Sequence, residues 1–173
     1  MRNRNKLLVI IISIIVITLV VLATLFVTGK LSSKKDTVKE EIILAWPIDD
    51  PYWLLTEYGE YESWGETLFS HGIDLSKAEG ANIYAAYDGK IVTKKSEGAY
   101  GNYIMIDHSN GYYTLYAHLK DFAPDIEEGT TVTKGQVIGY MGNTGYATGI
   151  YLHFELRTCP EYSCTIDPMT LLK

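Results

Sequence analysis

The sequence predicts an all-β, mostly antiparallel domain of the sandwich or barrel-like kind, placed after one N-terminal transmembrane helix. Two observations carry the β assignment. Short β-rich runs alternate with Gly and Asn-Gly turn signals from residue 42 onward, and no segment there keeps a helical period apart from a turn at 168–172. A third observation carries the helix: Leu7 to Val27 is a run of 21 residues without a charge, and about 20 such residues span a bilayer's hydrocarbon core.

The N-terminal elements follow in order. Arg2, Arg4 and Lys6 make residues 1–6 a basic tail, which the positive-inside rule places in the cytoplasm. Residues 7–27 read as a retained anchor rather than a cleaved signal peptide, because the run exceeds the roughly 7 to 15 residues of a signal-peptide core. Residues 28–41 are polar and free of aromatics, so they read as a tether that reaches on the order of 45 Å when extended. Residues 42–173 form the extracytoplasmic domain. The chain's net charge is −6, and without the three basic tail residues it becomes 12 Lys+Arg against 21 Asp+Glu, or −9. That balance excludes nucleic acid, teichoic acid and anionic lipid as the domain's main partner.

Within the domain the expected strands are 42–46 (IILAW), 90–95, 102–107, 112–119, 136–142 and 151–157. Asn110-Gly111 between two of these runs predicts a hairpin. Cys159 and Cys164 lie just past the last run, and an extracellular setting favours a small disulfide over a metal site there.

Four histidines could carry chemistry: His71, His108, His118 and His153. Three of their contexts stand in a specific order and spacing: Ser70-His71-Gly72-Ile73-Asp74, Tyr116-Ala117-His118-Leu119, and Tyr151-Leu152-His153-Phe154-Glu155. Together with the intervening Asp88-Gly89, Tyr100-Gly101-Asn102 and Gly135 to Gly139 elements, they resemble the lysostaphin/LytM-type zinc endopeptidases from about Trp46 to Leu172. The layout, one anchor ahead of the domain, is similar to that of a sporulation member of the family that docks a partner across an intercompartment space. The resemblance implies a LytM-type β fold, peptidoglycan peptides as substrate, Asp74 and His153 as zinc ligands, and His118 as catalytic base or transition-state stabiliser. His108 reads as structural, at the hairpin.

Two positions depart from the family pattern. Ser70 stands where the first His ligand belongs, and Tyr151 where the first His of His-x-His belongs. Hydrolytic zinc needs three protein ligands and an open position for water. Asp74 and His153 supply two, and a tyrosine of ordinary pKa near 10 is a poor base at neutral pH. In a continuous strand His71 points away from Asp74, so it replaces the lost ligand only if the backbone bulges. The sequence therefore points to a domain that keeps the fold and groove without a working metal centre. No cofactor is expected, and the partner is peptidoglycan peptide or an envelope protein. The alternative is an active zinc endopeptidase using His71, Asp74 and His153. A biotinyl or lipoyl carrier, a rival of similar Gly-spaced rhythm, is set aside because Gly142-Asn143-Thr144-Gly145 offers no Lys at the hairpin tip.

Overall fold

The computed structural model describes residues 14–21, Thr24 and 42–173. The chain divides into two compact units, Met1–Glu41 and Ile42–Lys173. In the first unit, residues 14–21 are helical and exposed. No helix among the described residues is long and apolar enough to cross a membrane. The tail and tether, and most of the 7–27 span, lie outside the described residues.

The second unit is built from thirteen strands: β1 Trp53–Thr56, β2 Gly59–Ser63, β3 Glu66–Ser70, β4 Ile73–Ser76, β5 Asn82–Tyr84, β6 Gly89–Glu97, β7 Gly101–Asp107, β8 Tyr113–Leu119, β9 Asp121–Phe122, β10 Thr131–Val132, β11 Val137–Tyr140, β12 Leu152–Arg157 and β13 Thr165–Ile166. The main sheet runs in the order β1-β4-β12-β8-β7-β6-β10, with β13 added beside β12. A three-stranded sheet, β5-β11-β9, and the β2-β3 hairpin complete the fold. The pairings are antiparallel. The expected hairpin at Asn110-Gly111 joins β7 to β8, with Asp107 opposite Tyr113.

Alternation along the central strands separates core from site. Ile73 and Leu75 of β4, Tyr116 of β8, and Leu152, Phe154 and Leu156 of β12 are fully buried in one hydrophobic cluster. Each large apolar side chain so buried contributes about 1.5–3 kcal/mol relative to exposure. The intervening residues, Asp74 on β4 and His153, Glu155 and Arg157 on β12, face the other side of the sheet. A core of ordinary apolar packing thus holds four ionisable groups in fixed register.

The structure corrects two local expectations. The segment 42–46 is not a strand: Leu44 alone makes an isolated parallel bridge with Leu172. Residues 70–74 are not one continuous strand either, because β3 ends at Ser70 and β4 begins at Ile73, with a bend at His71-Gly72. Gly72 allows that bend to approach β12, since a Cβ there would overlap the carbonyl of Phe154.

Candidate functional site

Asp74 and His153 are direct cross-strand partners on β4 and β12, which brings their side chains together. His153 Nδ1 lies 2.7 Å from Asp74 Oδ1, and Nε2 lies 3.1 Å from Glu155 Oε1. A carboxylate only accepts hydrogen bonds, so both ring nitrogens donate and the ring is an imidazolium. Burial works against that charge, but the hydrogen bonds to Asp74 and Glu155, reinforced by their charges, push the His153 pKa up to about 9. Glu155 is fully buried and receives Arg157 Nε at 2.6 Å and the Tyr100 hydroxyl at 2.5 Å. Arg157 Nη2 in turn donates to the Tyr100 oxygen at 3.0 Å. Burial would raise the Glu155 pKa, yet hydrogen bonds from His153 and Arg157 hold it below the usual carboxylate value.

His118 approaches from β8. Its φ is +63°, an unusual conformation for a residue with a Cβ. Its backbone N–H donates to Tyr100 O at 2.9 Å, which closes β8 over the 100–101 turn. Nδ1 donates to the carbonyl of Thr144 at 2.8 Å, so the neutral ring presents Nε2 as an acceptor. Burial lowers its pKa. The ring lies 5.0 Å from Tyr151, edge to face, and 6.1 Å from His153. Burial, then the charge of Asp74, pushes the Tyr151 hydroxyl above its ordinary pKa, and this weakens it further as a base.

Ser70 is buried at the base of the β2-β3 hairpin, and its hydroxyl donates to the carbonyl of Gly72 at 2.8 Å. His71 differs from the strand-alternation expectation. The bend lets it line the same cavity as Asp74 and His153, where Nδ1 meets Thr165 Oγ1 at 2.9 Å and the ring packs, tilted by 43°, with its centroid 4.0 Å from that of Tyr162. The cavity is about 410 Å³, with Tyr61 and Phe69 on the hairpin side and Tyr100, Tyr151 and Tyr162 around the ionisable cluster. Cys159 and Cys164 are joined as a disulfide. His108 stands apart, with Nδ1 on Asp88 O and Nε2 on Thr114 Oγ1, both at 2.8 Å.

Zinc, which the family resemblance implies, does not fit this donor set. His153 has both nitrogens committed to carboxylates, and Ser70 turns its oxygen to a backbone carbonyl. Among the described residues only Cys159, Glu161 and Cys164 bring three ligand atoms within 4.8 Å of one another, and there the two sulfurs are bonded to each other. His71, Asp74 and His153 do not form such a group.

The motifs assigned no role to Glu155, Arg157, Tyr100, Thr144 or Tyr162, although Glu155 and Tyr100 stand within them. The first two were legible in principle: His153-x-Glu155-x-Arg157 puts three ionisable groups on one face of a strand whose other face is apolar. Tyr100 and Tyr162 lie outside the strands, where no alternation shows which way a side chain faces.

Residues 68–168 match the family described as Peptidase family M23. The DD-carboxypeptidase/endopeptidase Mpg of Neisseria meningitidis serogroup B is 48% identical over 86 residues, which are 50% of this chain and 19% of that protein. This chain thus spans about a fifth of the length of that curated relative. The solved catalytic domain of the antimicrobial peptidase lysostaphin from Staphylococcus simulans is 30% identical, with a TM-score of 0.62, covering 69% of this chain and 90% of that one. A structure of the SpoIIQ–SpoIIIAH pore-forming complex also matches, at 22% identity and a TM-score of 0.65 over 78% of this chain and 93% of that one. At that identity the likeness is one of fold.

Proposed function

The chain belongs to Peptidase family M23, and from that premise we propose that it is a membrane-anchored, extracytoplasmic domain that binds peptidoglycan peptide without efficient hydrolysis. As a binding module it serves as a scaffold at the cell envelope or as a regulator of a cell-wall hydrolase. One observation carries this reading: His153, at a ligand position of the family, has both ring nitrogens engaged by carboxylates, Asp74 at 2.7 Å and Glu155 at 3.1 Å. An imidazolium has no lone pair for a metal, and Ser70 supplies no competing donor to draw zinc in. The names of the relatives support peptidoglycan as the ligand class. The tyrosine-lined cavity supports peptide binding, because aromatic walls give contact area with polar tips. The 21-residue apolar run supports the anchor.

What this chain's residues do follows from their geometry. The Asp74–His153–Glu155–Arg157 row alternates in charge and fills the cavity floor with hydrogen bonds already made. His118 offers Nε2, and Tyr151 a hydroxyl, to a peptide amide or carbonyl.

Zinc content of the full-length chain and its action on purified peptidoglycan test the reading. The expected result is well under one equivalent of zinc, binding of peptidoglycan fragments and no cleavage. Ser70→His adds an imidazole at the vacant ligand position and is expected to raise zinc occupancy. Ser70→His with Tyr151→His is expected to go further and give turnover, since general-base help is worth about 100- to 10,000-fold. Stoichiometric zinc in the wild type, lost in His71→Ala, would instead establish the active-peptidase alternative.

A further inference from the structure

The loop closed by Cys159 and Cys164 forms one wall of the cavity, and few contacts hold it there. Its 3-10 turn, Tyr162–Cys164, buries no residue and has no side-chain cap. Residues 160–163 are all exposed. Tyr162 is 55% exposed, yet its ring covers one side of His71 at 4.0 Å, while Phe69 lies 4.9 Å from the same imidazole. Besides the disulfide, the loop is tied by Arg157 Nη1 to Pro160 O at 2.7 Å, by Thr158 N and Oγ1 to Cys164 O at 2.9 and 3.4 Å, and at its base by the β12–β13 pairing of Arg157 with Thr165. Burial therefore does little to fix Tyr162; the covalent clip and the pairing at the loop's base hold its backbone.

We propose that Tyr162 is the movable wall of the cavity and that the Cys159–Cys164 disulfide sets its position, so that reduction by an extracytoplasmic dithiol uncovers His71 and changes what the cavity admits. The ligand side of this inference rests on the peptide-binding reading above; the gate itself does not. A thiolate of the dithiol attacks one sulfur, and the other cysteine leaves as a thiolate. The dithiol's second thiol then resolves the mixed disulfide. Two electrons and two protons pass to Cys159 and Cys164, and the dithiol becomes a disulfide. The clip belongs to the wall alone: neither cysteine hydrogen-bonds Asp74, His118 or His153.

Diethyl pyrocarbonate modification of the full-length chain, read peptide by peptide with mass spectrometry, tests the gate without any peptidoglycan ligand. In the oxidised wild type His71 is expected to react slowly. Cys159→Ser with Cys164→Ser, or wild type reduced with dithiothreitol that is then removed, is expected to speed His71 by roughly 2- to 10-fold, the factor that loss of one aromatic stacking contact corresponds to. Tyr162→Ala with the disulfide intact is expected to match that rate, and reducing this variant to add nothing. Buried His108 is the internal control and is expected to stay unreactive throughout. Unchanged His71 reactivity after reduction, or in Tyr162→Ala, overturns the proposal. So does a parallel rise at His108, which makes the clip a general brace of the fold. A gate that opens while no stem peptide binds in either redox state refutes the peptide reading alone, and peptide binding that ignores the redox state, with His71 equally unmoved, refutes the gate alone.

Discussion

Glu155 is a carboxylate without exposed surface, tolerated because His153, Arg157 and Tyr100 all bond to it. Removing one member of a buried ionic group costs more than the group contributes, since the partners keep their desolvation cost without compensation. Glu155→Gln is therefore expected to destabilise the protein by about 3–5 kcal/mol, read as a lowered urea midpoint. A loss below about 1 kcal/mol would mean that Arg157 and His153 find water or other partners. At this scale Asp74, His118 and His153 were picked out by motif spacing; Asp74 and His153 line one cavity, and the His118 ring lies 6.1 Å from that of His153. His71 was not legible. Its side was inferred from strand alternation across 70–74, and the bend at His71-Gly72 breaks that alternation. Tyr162 was invisible for another reason: its position depends on a loop clip and a ring contact distant in sequence, neither of which leaves a local pattern.

Among the elements, β6, β7, β8 and β12 were readable because each is a β-rich run with a Gly or Asn-Gly turn signal close to one end. The β2-β3 hairpin was not. Its residues are largely exposed on both faces, so Gly59–Ser63 and Glu66–Ser70 show no apolar alternation. The 42–46 run misled in the opposite direction, since its apolar residues pack into the core without a ladder partner beyond the Leu44 bridge. The joint between hairpin and main sheet depends on Gly72. Gly72→Ala drives a methyl into the Phe154 carbonyl, so β4 and β12 must separate where Asp74 faces His153. The expected cost is about 1–3 kcal/mol, measured by thermal unfolding. An unchanged melting temperature would show that β4 shifts without resistance.

Across the whole unit, the histidines oppose one another in their response to pH. Burial lowers the pKa of His108 below its ordinary value near 6.5. The unfolded chain therefore binds more protons than the folded one as pH falls, and the His108 contribution is complete above about 6.5 and lost below it. His71 and His118, also lowered by burial, act in the same direction. His153 acts in reverse: with its pKa raised to about 9, its contribution is complete below about 6.5 and lost as pH rises through 9. Stability is expected to peak near the unfolded histidine pKa of about 6.5 and to fall on both sides of it. His108→Gln keeps a donor and an acceptor but no titration, so it is expected to make the acid limb shallower in urea unfolding at pH 5 to 7; an equally steep limb would assign the acid loss to other groups. One further property comes from the Leu44–Leu172 bridge, where Leu44 N donates to Leu171 O at 2.8 Å and Lys173 N to Leu44 O at 3.0 Å. Both ends of the unit leave the β scaffold at one point. The unit is therefore a cassette: a short linker from Lys173 to Ile42 would close it into a ring, and the ring could be reopened at an exposed turn such as Trp64-Gly65 with every sheet left intact.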